Sequence, residues 1–229
     1  MRRTIAGLAL VTGLACGEVA YAGRPFATED AAVLETAACE IEAFGARGRA
    51  RDAVTGRSYA AQFGCGVGAT TQLALSGSRL RAGGERATGA ALAGKTALRP
   101  LAEQGLGVTL AYAIGASKAG TGEWEHAASA LSLVVSEQRG RIVYHGNLGV
   151  ARDEIGGSSA TAWAFAVERL GGRFDVGLEV FGENSRSPWV GVGARYAVTP
   201  EKFYFDASFA QRTNSTRAQL VTVGLKVAF

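Results

Sequence analysis

Several absences narrow the reading of this sequence. Proline is scarce, with 4 in 229 residues, and there is one methionine. No apolar run beyond the first 22 residues is long enough to form a membrane helix, which excludes a helical membrane protein. Three cysteines and two histidines supply no cluster of metal-ligand spacing, so metal catalysis has no ligand set. The formal net charge is only +4, and the basic residues are scattered, which gives no nucleic-acid patch. Charged residues make up 19% and hydrophobic residues 48%, so the 32 glycines do not signal disorder.

What is present begins with a leader. Arg2 and Arg3 precede an apolar stretch from Ile5 to Ala15, and Ala20-Tyr21-Ala22 places small residues at a cleavage position. The spacing predicts a signal peptide over 1–22 and a mature start at Gly23. Leu14-Ala15-Cys16 offers a rival lipoprotein site, with Gly13 where a branched apolar residue is usual. Either route exports the chain. A non-periodic lead-in over 23–36 follows, and its acidic pair Glu29-Asp30 either plugs or dangles.

From there to Phe229 the chain alternates. In the last segment Val221, Val223, Leu225, Val227 and Phe229 are apolar, while Thr222, Gly224, Lys226 and Ala228 are not. About ten alternating residues suffice for a tilted strand to cross a membrane. Twelve such segments lie near 37–50, 57–68, 70–82, 88–99, 105–118, 126–138, 140–153, 160–170, 172–183, 188–198, 202–213 and 217–229. Tight joins at Gly68-Ala69, Gln138-Arg139-Gly140, Gly171-Gly172 and Thr199-Pro200-Glu201 alternate with longer polar ones, and Pro100–Gln104 breaks that rule. The non-apolar face is rich in Gly, Ala and Ser, which suits a crowded barrel interior better than a solvated sheet. Tyr59, Trp163, Phe174, Trp189, Phe203 and Phe229 sit near segment ends, as an aromatic girdle requires. The pattern predicts an all-β fold, a transmembrane antiparallel up-and-down β-barrel of about 12 strands over 37–229. A soluble secreted β-sandwich is the competing fold, with its apolar face inside.

Parity then sorts the charges. Glu40, Glu42, Lys95, Glu168, Asp175, Glu179, Arg195, Asp206 and Lys226 fall on the inward face with His145 and Asn147. They either pair across a narrow lumen and stiffen it, or select solutes. On this reading Lys226→Leu is nearly harmless and Leu225→Arg is not. Cys39 and Cys65 share the apolar parity of consecutive strands, in an oxidising compartment. A hairpin centred on Val54 would set Cys39 opposite Ala69, so a Cys39–Cys65 bridge depends on the register. Phe229 is the terminal aromatic of an outer-membrane assembly signal.

Three motifs suggest other chemistry. Gly89-Ala-Ala-Leu-Ala-Gly94-Lys95-Thr96 matches the phosphate-loop pattern, but Pro100 excludes the helix that such a loop opens. Gly64 to Ala69 lacks the strand–turn–helix setting of a dinucleotide loop. His145-Gly146-Asn147 resembles the H-x-S strand of outer-membrane lipid hydrolases, but Asn147 occupies the nucleophile's place. No enzyme activity and no cofactor are therefore expected.

Arg24-Pro25-Phe26-Ala27-Thr28-Glu29-Asp30-Ala31 resembles the R-P-x-x-T-x-D-A opening of a bacterial β-barrel family named for the MetA pathway of phenol degradation. Gly64 to Leu73, His145-Gly-Asn-Leu-Gly149, Tyr196 to Pro200 and Phe205-Asp206 are compatible with that family. The resemblance implies an outer-membrane barrel that passes small apolar or aromatic compounds, with no established catalytic residues. Cys39, Cys65 and the short loops depart from it. The expected partners are outer-membrane lipid, the barrel assembly machinery and small apolar solutes. The expected role is passive transport. A structural or lipid-binding barrel with a closed lumen is the alternative.

Overall fold

The computed structural model describes residues 26–50, 55–184, 186–214 and 217–229. The leader over 1–22, Cys16 and the first residues of the lead-in lie outside them. Twelve strands form one closed antiparallel barrel in which each strand pairs with its sequence neighbours and β1 pairs with β12. They are β1 Cys39–Arg49, β2 Gly56–Gly66, β3 Thr71–Ala82, β4 Glu85–Arg99, β5 Gly105–Ala119 and β6 Glu125–Arg139. After these come β7 Ile142–Asp153, β8 Ser158–Arg169, β9 Phe174–Glu183, β10 Trp189–Thr199, β11 Phe203–Arg212 and β12 Gln219–Ala228. Every strand expected from alternation is present. Strands β4, β5 and β6 have 15 residues each, while β9, β11 and β12 have 10.

Closure removes every sheet edge, and it turns the apolar face outward. Leu75, Ile114, Leu148, Leu178 and Val223 are among the large hydrophobic side chains on the exposed surface. The buried side chains point inward and are small or polar, Ala74, Ala93, Gln72, Thr109, Ser136 and Glu168 among them. An apolar exterior around a polar interior inverts the soluble sandwich, which is thereby excluded. Lipid replaces water as the solvent of the outer face.

An even strand number brings both termini to one end, the terminal end. The other is the loop end. Asymmetry between the two sets of joins is weaker than the sequence suggests. At the loop end, β3 and β4 are joined by Gly83 and Gly84 alone, with φ of 59° and 88°. Positive φ at both positions is the requirement of a type I′ hairpin turn, and glycine meets it without a steric penalty.

The register of β1 and β2 also differs from a hairpin centred on Val54. Cys39 pairs with Cys65, and the two form a disulfide. The girdle needs one correction. Trp189 shares parity with Gly191 and Arg195, faces the lumen and is buried at 8% exposure. Its ring stacks on Phe181 at 6.1 Å beside Ala50, Ala210 and Ala218, with the Arg212 guanidinium 5.1 Å from it.

Candidate functional site: a peptide seated in the lumen

The lumen is occupied by the chain's own residues. Of the two placements open to the acidic lead-in, the structure has the plug. Phe26 lies at Gly177 on β9, where an added Cβ would come within 2.6 Å of its ring. The segment crosses the interior and returns beside β2, where Thr36 bridges Gly66 in parallel. Both crossing points lie toward the terminal end, so the segment arches into that half of the barrel.

Inward side chains of six strands hold it. Glu179 on β9 accepts hydrogen bonds from the backbone N–H groups of Ala27 (2.8 Å) and Thr28 (3.0 Å), and from the Thr28 hydroxyl (3.0 Å). Asn147 on β7 clamps one residue twice. Its Oδ1 accepts from Glu29 N at 2.6 Å, and its Nδ2 donates to Glu29 O at 2.9 Å. Ser136 on β6 accepts from Ala31 N at 2.9 Å, while Thr109 on β5 donates to Ala31 O at 2.6 Å. Gln72 on β3 accepts from Leu34 N at 3.0 Å. Lys95 on β4 reaches Glu29 at 2.8 Å and Asp30 at 3.2 Å. Ala31 is fully buried against Ala111 and Val134. The small inward residues noted in the sequence are the room this peptide takes.

Other ion pairs among the inward groups run between adjacent strands rather than across the lumen, as His145–Glu168 and Lys226–Glu40 do. Lys226 on β12 contacts Glu40 and, at 3.5 Å, Glu42 on β1. Gln62 donates to Glu42 at 3.0 Å. Arg195 on β10 stands in register between Asp206 and Asp175, with its guanidinium 5.7 Å from the Tyr204 ring centre. Asp175 also accepts from Gly171 N at 2.9 Å. The expectation that Lys226→Leu is harmless therefore fails, since it would remove the cation that faces two buried carboxylates.

Ser136, His145 and Glu168 form a chain of contacts over β6, β7 and β8, with Glu168 set diagonally to His145. Ser136 Oγ lies 2.8 Å from His145 Nδ1, and His145 Nε2 lies 3.6 Å from Glu168. The residue types are those of a hydrolytic triad. Their use here differs, because Ser136 is fully buried and its oxygen accepts the Ala31 N–H. With Glu168 on the Nε2 side, His145 Nδ1 is placed to accept the Ser136 hydroxyl, which turns a lone pair toward Ala31. Lys95, the lysine of the phosphate-loop match, is a strand residue committed to two carboxylates.

Two acidic groups of the segment are driven apart. Burial, the largest influence on Glu29, raises its carboxyl to about 8 against the opposing pull of Lys95. Its Oε2 meets no hydrogen-bond donor among the described residues, which favours a proton there. Burial also disfavours the Asp30 charge, but Lys95, then His145 and Lys226, outweigh it and hold that carboxyl well below the usual range. Lys95 thus balances mainly Asp30.

Charge parity brought out Glu179, Lys95, His145, Glu168 and Asn147. It missed Ser136 and Thr109, which are uncharged and lie in no motif, and Gln72, which is uncharged though it falls in the Gly64–Leu73 stretch. The one available signal was their position on the inward parity of strands whose other inward residues are small.

The fold has solved counterparts. The COG4313 outer membrane channel from Pseudomonas putida F1 superposes with a TM-score of 0.60 at 8% identity, covering 87% of this chain and 98% of that one. The KdgM porin gives 0.57 at 8% identity, covering 82% and 99%. The translocator domain of autotransporter NalP from Neisseria meningitidis gives 0.54 at 14% identity, covering 98% and 97%. At these identities the likeness is one of fold, and the fold is that of bacterial outer-membrane barrels. No curated protein matches the chain. A family profile does match over residues 10–229, and by it the chain belongs to the family described as uncharacterised conserved protein UCP029691.

Proposed function

We propose that this protein is an outer-membrane channel of narrow, polar bore, closed by its own residues 26–35, which passes small solutes when that segment withdraws. One observation carries the reading. The segment is held chiefly by hydrogen bonds between its backbone and lumen side chains. Each such bond contributes only about 0.5–1.5 kcal/mol net, because water can replace either partner. A lumen lined by Glu179, Asn147, Ser136, Thr109 and Gln72 stays compatible with water once vacated, which a purely apolar seat would not.

The apolar outer face and the sequence leader support a location in the outer membrane, and the terminal Phe229 supports insertion by the barrel assembly machinery. The loop-end lining of Trp189, Phe181, Leu220 and Leu80 supports small apolar or aromatic solutes, in line with the resemblance to the MetA phenol-degradation family. The channel and the porin among the solved counterparts support a channel over a hydrolase. The closed-lumen alternative draws on the same seat, taken as permanent.

Bilayer conductance separates the two. Ala31→Trp removes the fit against Ala111 and Val134 while leaving the barrel wall intact. The channel reading expects larger and more frequent openings than in the wild type, and faster swelling of liposomes in phenol than in a sugar of equal osmolarity. No conductance in either protein, with both still migrating as folded barrels, would establish the closed lumen.

A further inference from the structure

The outer face of β1 to β4 carries a feature that neither the lumen nor the channel reading uses. Near the loop end, Arg47 pairs with Arg57, Arg57 with Arg81, and Arg81 with Arg86. Four arginines therefore stand in one row across four adjacent strands, all on the outward parity and all exposed. The next row toward the terminal end reads Gly45, Tyr59, Arg79 and Thr88, and it continues to Lys118 on β5. Like charges directly opposite one another on neighbouring strands are destabilising. Among the described residues no salt bridge joins any of these six cations to a carboxylate. A bound anion along this row would offset the repulsion.

The rows beneath point to its kind. Ala43, Ala61, Gly77 and Ala90 form a third register row, all small. Below it Ile41, Phe63, Leu75 and Leu92 form a fourth, all large and apolar. Tyr59 and Leu75 are 58% and 62% exposed, and an added Cβ at Gly77 would meet no atom within 4 Å. The surface is thus a shallow apolar trough, walled by large side chains on the terminal side and rimmed by guanidinium groups on the loop side. Guanidinium forks match phosphate oxygens in bidentate geometry, and a trough of small residues admits an acyl chain lying against the wall.

We infer that this face binds a phosphorylated, multiply acylated glycolipid of the outer leaflet, with its phosphates on the Arg47–Arg57–Arg81–Arg86 row and an acyl chain in the trough over Gly77. The inference rests on the outer-membrane reading, which sets the loop end at the outer leaflet, but not on conduction.

The test uses full-length protein extracted from outer membranes and analysed by native mass spectrometry for retained bisphosphorylated lipid A. The wild type should retain it. Arg57→Gln combined with Arg81→Gln should cut retention at least tenfold, with heat-modifiable migration and conductance unchanged. Gly77→Leu fills the trough without touching a charge or the lumen. It should weaken retention several-fold while leaving a phosphate-only probe unaffected. Competition by inorganic phosphate alone would reduce the site to a free-anion site and overturn the inference. So would equal retention of phosphatidylglycerol, which would make the face a general anionic-lipid surface. Unchanged retention in both variants would likewise overturn it. A failed channel reading would show instead as absent conductance with lipid retention intact.

Discussion

Cys39 and Cys65 stand directly opposite one another on β1 and β2 with Cα atoms 4.1 Å apart, while the backbone of Cys39 is spent on the other side of its strand, on Phe229. Cys39 N donates to Phe229 O at 2.8 Å, and Phe229 N donates to Cys39 O at 2.9 Å. The bridge and the terminal hydrogen bonds thus hold the same strand from both sides where the barrel closes. Unreduced, alkylated protein should show neither thiol labelled. Cys39→Ser should lower stability by about 3 kcal/mol, the value for a loop of this length. Two labelled thiols on mass spectrometry would refute the pairing.

Phe229 contributes more than its carbonyl, since its ring lies 6.5 Å from that of Phe63 on β2. Deleting it removes both terminal hydrogen bonds and this contact at the closing seam. Export should continue while the fraction recovered as heat-modifiable barrel in the outer membrane falls sharply. Normal recovery would show that closure does not depend on the last residue.

Leu225 and Lys226 test facing. Leu225 lies on the lipid side, where an arginine near the midplane costs about 2–4 kcal/mol. Lys226 lies between Glu40 and Glu42. Lys226→Leu should also destabilise, by about 3–5 kcal/mol as for other broken buried pairs, and adding Glu40→Gln and Glu42→Gln should recover most of that loss. Urea titrations in lipid vesicles measure both. Recovery of Leu225→Arg by the same two substitutions would mean that its charge enters the lumen.

Glu29 gives the seated segment a pH dependence. Its carboxyl titrates at about 8 when seated, above its ordinary 4.5, with burial as the leading cause. A raised value of this kind contributes to seating fully below the ordinary pKa and is lost as pH rises through about 8. Asp30 works in the opposite sense. Its carboxyl is depressed, so its contribution persists through neutral pH and disappears only in strong acid. Channel openings should therefore become more frequent as pH rises from about 4.5 to about 8 and level off above it, and Glu29→Gln should flatten that rise. A rise that survives in Glu29→Gln would assign the titration to another group.

Much of this architecture was legible because a strand's period of two survives any register. Alternation alone located all twelve strands and put Lys95, His145, Glu179 and Lys226 inside. Register is a different kind of information. A four-residue change of register in the first hairpin preserves every facing and still moves the partner of Cys39 from Ala69 to Cys65. Trp189 was misplaced because aromatic residues near strand ends suit both a girdle and a lumen cap. Parity was the better guide, since Gly191 and Arg195 share its face. The seated segment was the least visible part. It is held chiefly through its own backbone groups, which every residue carries, so only the acidic pair Glu29-Asp30 hinted at a seat in the lumen.

The unequal strand lengths have a consequence for the mouth of the barrel. At about 3.3 Å per residue and a tilt near 45°, a 15-residue strand rises about 35 Å and a 10-residue strand about 23 Å, against an apolar band of roughly 25 Å. The β4–β6 wall therefore overtops the hydrocarbon layer, and the β9–β12 wall does not. Outward residues at the loop end of the tall side are polar, Arg86, Lys118 and Ser129 among them, as groups standing clear of hydrocarbon should be. On the channel reading, the entrance would be cut obliquely, like the bevel of a needle. Solutes held at the membrane surface would meet the opening from the low β9–β12 side.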